Sequence, residues 1–164
     1  MNELCEVQGH VVFFDIQGIV MAKWAPSGQT VNQQYYIEVL TKLCVHVRRK
    51  RPELWRNGWI LHQENVPTHN TLSVKQVLAN KNITVLEHPP YSPYLTPCNF
   101  CLFPKIKSVL KVTHFVVVEN VKAKVAETLD SLTEHDLWTC FEQWQHCMQP
   151  CVNSEGNYFE DDHC

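Results

Sequence analysis

Two β-branched and aromatic runs, VVFFDI (residues 11–16) and IVMAKWA (19–25), are separated only by Gln17-Gly18. So short a connection turns the chain back beside itself, which predicts an antiparallel hairpin with Asp15 at the end of its first arm. The period then changes. Tyr35, Tyr36, Val39, Leu40, Leu43, Cys44 and Val47 recur at helical spacing, Thr30 and Gln33 form a capping box ahead of them, and the basic run before Pro52 ends the helix.

The same alternation of periods continues downstream. WILHQE (59–64) predicts a strand, residues from about 68 to 79 a shorter helix, and ITVLE (83–87), which lacks alternation, an interior strand buried on both faces. After the proline-rich HPPYSPYLTPCNF, a helix through Phe103, Ile106 and Leu110 is delayed or kinked by Pro104. Val118, Val121, Val125 and Leu129 mark another helix. The last is opened by Thr133 with Asp136 and carries Leu137, Cys140, Phe141, Trp144 and Met148. This order predicts an α/β fold, one mixed sheet flanked by helices. With 164 residues, 45% of them hydrophobic, a single core and a single domain over 1–164 are expected.

Composition excludes several function classes. No run of 18 apolar residues suggests a membrane span, and the first fifteen residues lack the pattern of a secretion signal, so a soluble intracellular chain is expected. The eight cysteines are accordingly read as reduced. Cys98 and Cys101 form a C-x-x-C without a second ligand pair at finger spacing, and Cys147 and Cys151 read as packing on a helix face. A zinc- or redox-active protein built on Cys98 and Cys101 would carry stoichiometric zinc. The five glycines form neither a phosphate loop nor a dinucleotide fingerprint, so no small-molecule cofactor is expected. Net charge is −3, but Arg48-Arg49-Lys50-Arg51 is a dense basic run, Lys105, Lys107 and Lys111 form a second group, and acidity collects in the tail EGNYFEDDHC.

Ligand sites in such sheets gather at the carboxyl ends of the inner strands. Asp15, Glu64 and Asn99 fall near predicted ends, Glu64 within the stretch HQENVPTH. His62 and His69 of that stretch read as structural histidines, Asn99 by itself as a helix cap, and Trp59, Trp138 and Trp144 as core.

Two long motifs carry a family resemblance. WILHQENVPTH is similar to the H-Q-D-N-A-P-x-H of mariner-type DNA transposases, and HPPYSPYLTPCNFCLFPKIK to their H-P-P-Y-S-P-D-L-A-P-C-D-F-F-L-F-P-K. FFDIQGIV and PSGQTVNQQYY also look like family segments, and the resemblance covers about residues 10–159. Between Glu64 and Asn99 stand 99 − 64 − 1 = 34 residues, the family's interval between its second and third acids. The chain resembles, too, the mariner-derived part of a descendant fused to a histone methyltransferase, though nothing here resembles the methyltransferase itself.

The resemblance implies a ribonuclease-H-like (retroviral-integrase-like) fold, DNA strand cleavage and joining with two Mg²⁺ or Mn²⁺ ions, a homodimer, and a nuclear location. Carried over by position, Asp15 would bridge both metals, Glu64 would hold one, and Asn99 would stand in place of the third acid. Arg48, Arg49, Lys105 and Lys107 would be the DNA contacts, weak and non-specific, since the family's amino-terminal helix-turn-helix modules are expected to be absent. The sequence also departs from the family: Glu64 adds a methylene, Asn99 brings no charge, Val66 and Thr68 replace alanines, Tyr94 an acid, Cys101 an aromatic and Val112 a glycine. Impaired strand chemistry is therefore expected, with a non-catalytic DNA-binding or dimerising remnant as the alternative.

Overall fold

The computed structural model describes residues 2–7, 10–26, 31–89, 92, 95–112 and 117–153, with side chains from residue 10 onward and without that of Val112. Thr30 of the expected capping box, Tyr94 and the acidic tail lie outside the described residues. The chain divides into two compact units, Met1–Asp15 with Ile19–Pro90, and Ile16–Gly18 with Tyr91–Cys164.

The first unit is built on a five-stranded sheet in the order β3-β2-β1-β4-β5. Its strands are β1 (Asn2–Val7), β2 (His10–Asp15), β3 (Gly18–Trp24), β4 (Ile60–Gln63) and β5 (Thr84–Glu87). The expected hairpin is β2 and β3, turning at Ile16 and Gln17. Strand β1 was not foreseen, because NELCEV carries two carboxylates and no β-branched residue before its last position. It lies at the centre of the sheet, antiparallel to β2 and parallel to β4. The last strand corrects another expectation. β5 is an edge strand, parallel to β4, and none of its residues is fully buried. Its unbroken apolar run reflects partial cover on both faces rather than an interior position.

Helix α1 (Gln33–Lys50) buries the seven residues its periodicity marked, against Val11, Phe13, Val20 and Leu61 of the sheet. Its cap is Asn32, whose side chain accepts the Tyr35 N–H at 2.9 Å. Pro52 does more than stop α1, since it opens a one-and-a-half-turn helix, α2 (Pro52–Asn57), at the position where a missing N–H costs nothing. Gly58 then takes φ +83°, a conformation that favours glycine, to turn the chain into β4. Helix α3 (Leu72–Asn80) begins later than expected, capped by Thr71, and packs Val74 and Leu78 into the same core.

The second unit is helical. A π-helical turn (Cys98–Leu102) runs into α4 (Phe103–Val112), with Pro104 in the first α-turn, followed by α5 (Val118–Asp130) and α6 (Glu134–Asn153). Its buried side chains include Leu95, Cys98, Leu102, Ile106, Leu129, Leu137 and Trp144. The predicted box at Thr133 is present: Asp136 Oδ2 accepts the Thr133 N–H at 3.0 Å and Thr133 Oγ1 accepts the Asp136 N–H at 3.1 Å. Trp138, expected in the core, is 54% exposed, and Val118 is exposed as well. Among the described residues no helix is long and apolar enough to cross a membrane.

Candidate active site

Strand β4 delivers Glu64 at its carboxyl end, and the turn that follows is tied back to α1. The Tyr36 hydroxyl donates to Gln63 Oε1 at 2.9 Å, Gln63 Nε2 donates to the His69 carbonyl at 3.4 Å, and the His69 ring stacks on Tyr36 with centroids 3.9 Å apart. His69 Nδ1 lies 3.4 Å from the Glu64 carbonyl oxygen, and the Val66 N–H donates to that same oxygen at 2.8 Å. Gln63 and His69 are both buried, while Glu64 between them is partly exposed. The stretch HQENVPTH is thus a braced turn that holds one carboxylate at the surface.

Asp15 stands elsewhere. Glu3 of β1 is opposite both Phe14 and His62, so these three residues form one row across the sheet. Because β2 runs against β1, its next residue, Asp15, falls in the row of Leu61, on the face where Phe13 and Leu61 meet α1. Glu64 lies three residues beyond that row in the opposite sense, two strands away. At about 3.3 Å per residue and 4.8 Å per strand, the two α-carbons are roughly 14 Å apart, and the odd offset puts their side chains on opposite faces. Asp15 is moreover engaged by Arg51, the residue that ends α1: Nε donates to Oδ2 at 2.7 Å and Nη2 to Oδ1 at 3.0 Å, with the Asp15 side chain 4% exposed. The expectation that Asp15 and Glu64 converge is corrected on this ground. The end of a hairpin's first arm is a carboxyl end, but of a strand pointing the other way.

Asn99, in the second unit, is exposed on the π-helical turn, its N–H donating to the Thr96 carbonyl at 2.9 Å. It is the turn's second residue rather than a helix cap. Arg48 and Arg49 are exposed in the last turn of α1, and Lys107 is exposed on α4. Lys105 is ion-paired with Asp136, so its charge is already partnered.

Sequence reasoning missed the surroundings of β4 and β5. A cavity of about 290 Å³ opens at their carboxyl ends, lined by Gln63, Asn65, Asn70, Lys75, Glu87 and His88. His88 Nδ1 lies 3.3 Å from Nε2 of the fully buried His62, whose pKa is lowered to about 4 by burial and, secondarily, by His88. No periodicity marks His88 or Lys75: the pairing of β4 and β5 sets His88 near His62, and Lys75 reaches from α3 to an ion pair with Glu87. Among the described residues no group of three His, Cys, Asp or Glu could hold a metal ion. Asp15 and Glu64, placed on different strand ends, are not brought together to form such a group.

A family model described as a transposase, partial DDE domain, matches residues 10–57. The mariner Mos1 transposase of Drosophila mauritiana is 30% identical over 151 residues, covering 91% of this chain and 44% of its own length. The human histone-lysine N-methyltransferase SETMAR is 25% identical over 150 residues, covering 91% of this chain and 22% of its own. The chain therefore spans less than half the length of these curated relatives. The crystal structure of the Mos1 catalytic domain superimposes with a TM-score of 0.81 at 28% identity, covering 98% of this chain and 82% of that one. The same domain is known with Mn and with Mg, each alongside Raltegravir, and Mos1 is known in a pre-cleavage transpososome, which matches with a TM-score of 0.82 at 30% identity. In sequence this chain is similar to the Mos1 mariner transposase, and its ribonuclease-H-like fold matches that protein's catalytic domain.

Proposed function

We propose that this chain is a degenerate mariner-type catalytic domain, descended from enzymes that cut and join DNA, which keeps a weak, non-specific contact with DNA while its strand chemistry is impaired. The observation that carries this reading is the placement of Asp15, clamped by Arg51 on the face turned away from Glu64. Two divalent ions roughly 3.5–4 Å apart need several anionic oxygens converging on one point. Glu64 supplies one, Asn99 stands in the position of another without its charge, and Asp15 is a structural acid. In this reading Arg48, Arg49 and Lys107 meet phosphates, and Lys105 contributes less because Asp136 neutralises it. Nuclear residence and self-association follow from the same descent, the second in keeping with the paired-end complexes known for Mos1.

The test is nicking of supercoiled plasmid in Mn²⁺, with calorimetric Mn²⁺ titration of the same preparation. The natural chain is expected to leave the plasmid intact and to bind no pair of ions. Nicking that is abolished by Asp15→Asn in a still-folded protein, or two tightly bound Mn²⁺, would overturn the reading.

A further inference from the structure

The cysteine pair that the sequence displays, Cys98 and Cys101, is not the pair that the fold displays. In the second unit the chain from Leu95 through α4 runs antiparallel to α6, and three successive contacts fix the register. The Trp144 indole N–H donates to the Leu95 carbonyl at 2.8 Å, the Cys140 thiol lies 4.0 Å from the Pro97 carbonyl, and Lys105 is ion-paired with Asp136. Cys101 is four residues before Lys105 and Cys140 four residues after Asp136, so each is one helical turn along from the ion pair and the two occupy adjacent positions on facing segments. The Pro97 carbonyl that Cys140 approaches leads into the π-helical turn that carries Cys101, which makes the two cysteines neighbours. Cys98 is fully buried and Cys140 nearly so, whereas Cys101 is partly exposed.

We propose that Cys101 and Cys140 form a redox-modifiable thiol pair, closed to an intrachain disulfide by a hydroperoxide. Cys101 is the entry point, being the accessible member. The hydrogen bond with Cys140, and to a smaller degree the Lys105 charge, lower its thiol pKa against the opposing effects of burial and Asp136. Its thiolate attacks the O–O bond, giving a sulfenic acid and, once the released oxygen is protonated, water or an alcohol. The Cys140 sulfur then attacks the sulfenic sulfur, its proton leaving with the hydroxyl as a second water. Two thiols are oxidised and one peroxide reduced. The bond would pin to α6 the π-helical turn that also carries Asn99.

The test treats the full chain with hydrogen peroxide under native conditions, caps remaining thiols with iodoacetamide, and maps peptides by mass spectrometry without reduction. The expected result is a peptide pair joined through Cys101 and Cys140, lighter by two hydrogens, with loss of Cys101 alkylation and full recovery on adding dithiothreitol. Cys98→Ser should leave the cross-link intact, and Cys140→Ser should leave Cys101 as a sulfenic acid that a dimedone probe captures. A Cys98–Cys101 link, or Cys101 still alkylated to the untreated extent in folded protein, would overturn the proposal.

Discussion

Asp15 shows how a side chain's partner decides what it is. A carboxylate with almost no exposure needs a countercharge, and the Arg51 guanidinium supplies two parallel hydrogen bonds from the end of α1. Removing the guanidinium takes both of those bonds from a buried carboxylate, so Arg51→Ala is expected to lower stability by about 3 kcal/mol, read from the shift of a urea unfolding midpoint. Arg48→Ala, one turn earlier and exposed, should shift it by less than about 0.5 kcal/mol. A second residue predicts a pH response. His10 is buried and stacked on Trp24 with centroids 4.1 Å apart, and burial lowers its pKa from 6.5 to about 4. Between those values the unfolded chain binds a proton that the folded chain refuses, so stability is full above pH 6.5 and falls as the pH drops toward 4. Below about 4 both states are protonated and this residue adds no further slope. His62, lowered to the same range, adds a like contribution. His10→Phe should flatten the dependence of the unfolding midpoint on pH over this window, and an unchanged slope would count against His10 as its source.

At the scale of elements, α1 separates what a sequence states from what only a fold can state. The cap that forms is Asn32, two residues after the threonine that the capping-box pattern selected, because its side chain reaches the Tyr35 N–H. Asn32→Ala is expected to cost about 1 kcal/mol in urea unfolding, and a null effect would return the role to the upstream pattern. The helix's buried face was legible in full, since period alone determines it once the sheet side is apolar. So were the β2–β3 hairpin and the box at Thr133, which are set by contacts within a few residues. Strand β1 was not legible: NELCEV has no alternating pattern, and it forms a strand because β2 and β4 offer it two hydrogen-bonding edges. That one omission propagated into the site. Without β1 nothing in the sequence tells that the end of β2 and the end of β4 point in opposite directions, and Asp15 reads as a neighbour of Glu64. Glu64 itself was legible through the motif around it, but its bracing by Tyr36 was not, since 27 residues of chain separate Tyr36 from Gln63. Arg51 was hidden differently, as the fourth member of a basic run whose other members are exposed.

For the molecule as a whole, a net charge of −3 means that DNA affinity has to come from local clusters working against the overall field. The basic run on α1 is smaller than it looks, because Arg51 is spent on Asp15 and the Lys50 ammonium donates to the Ile19 carbonyl at 3.2 Å. Arg48 and Arg49 remain as its outward charges. Each phosphate neutralised on duplex DNA releases counterions and adds about 0.9 to the slope of log affinity against log salt. Replacing both arginines with alanine should therefore lower that slope by about 2, measured by fluorescence anisotropy on a labelled duplex across a range of NaCl concentrations. The loss should be the same on unrelated duplex sequences, because phosphate contacts carry no base information. Arg51→Ala separates the two roles of the run: it should weaken the fold while leaving the salt slope of the protein that stays folded unchanged. A slope that fell with Arg51→Ala but not with the double substitution would reverse the assignment, making Arg51 the DNA contact and Asp15 an acid in need of another partner.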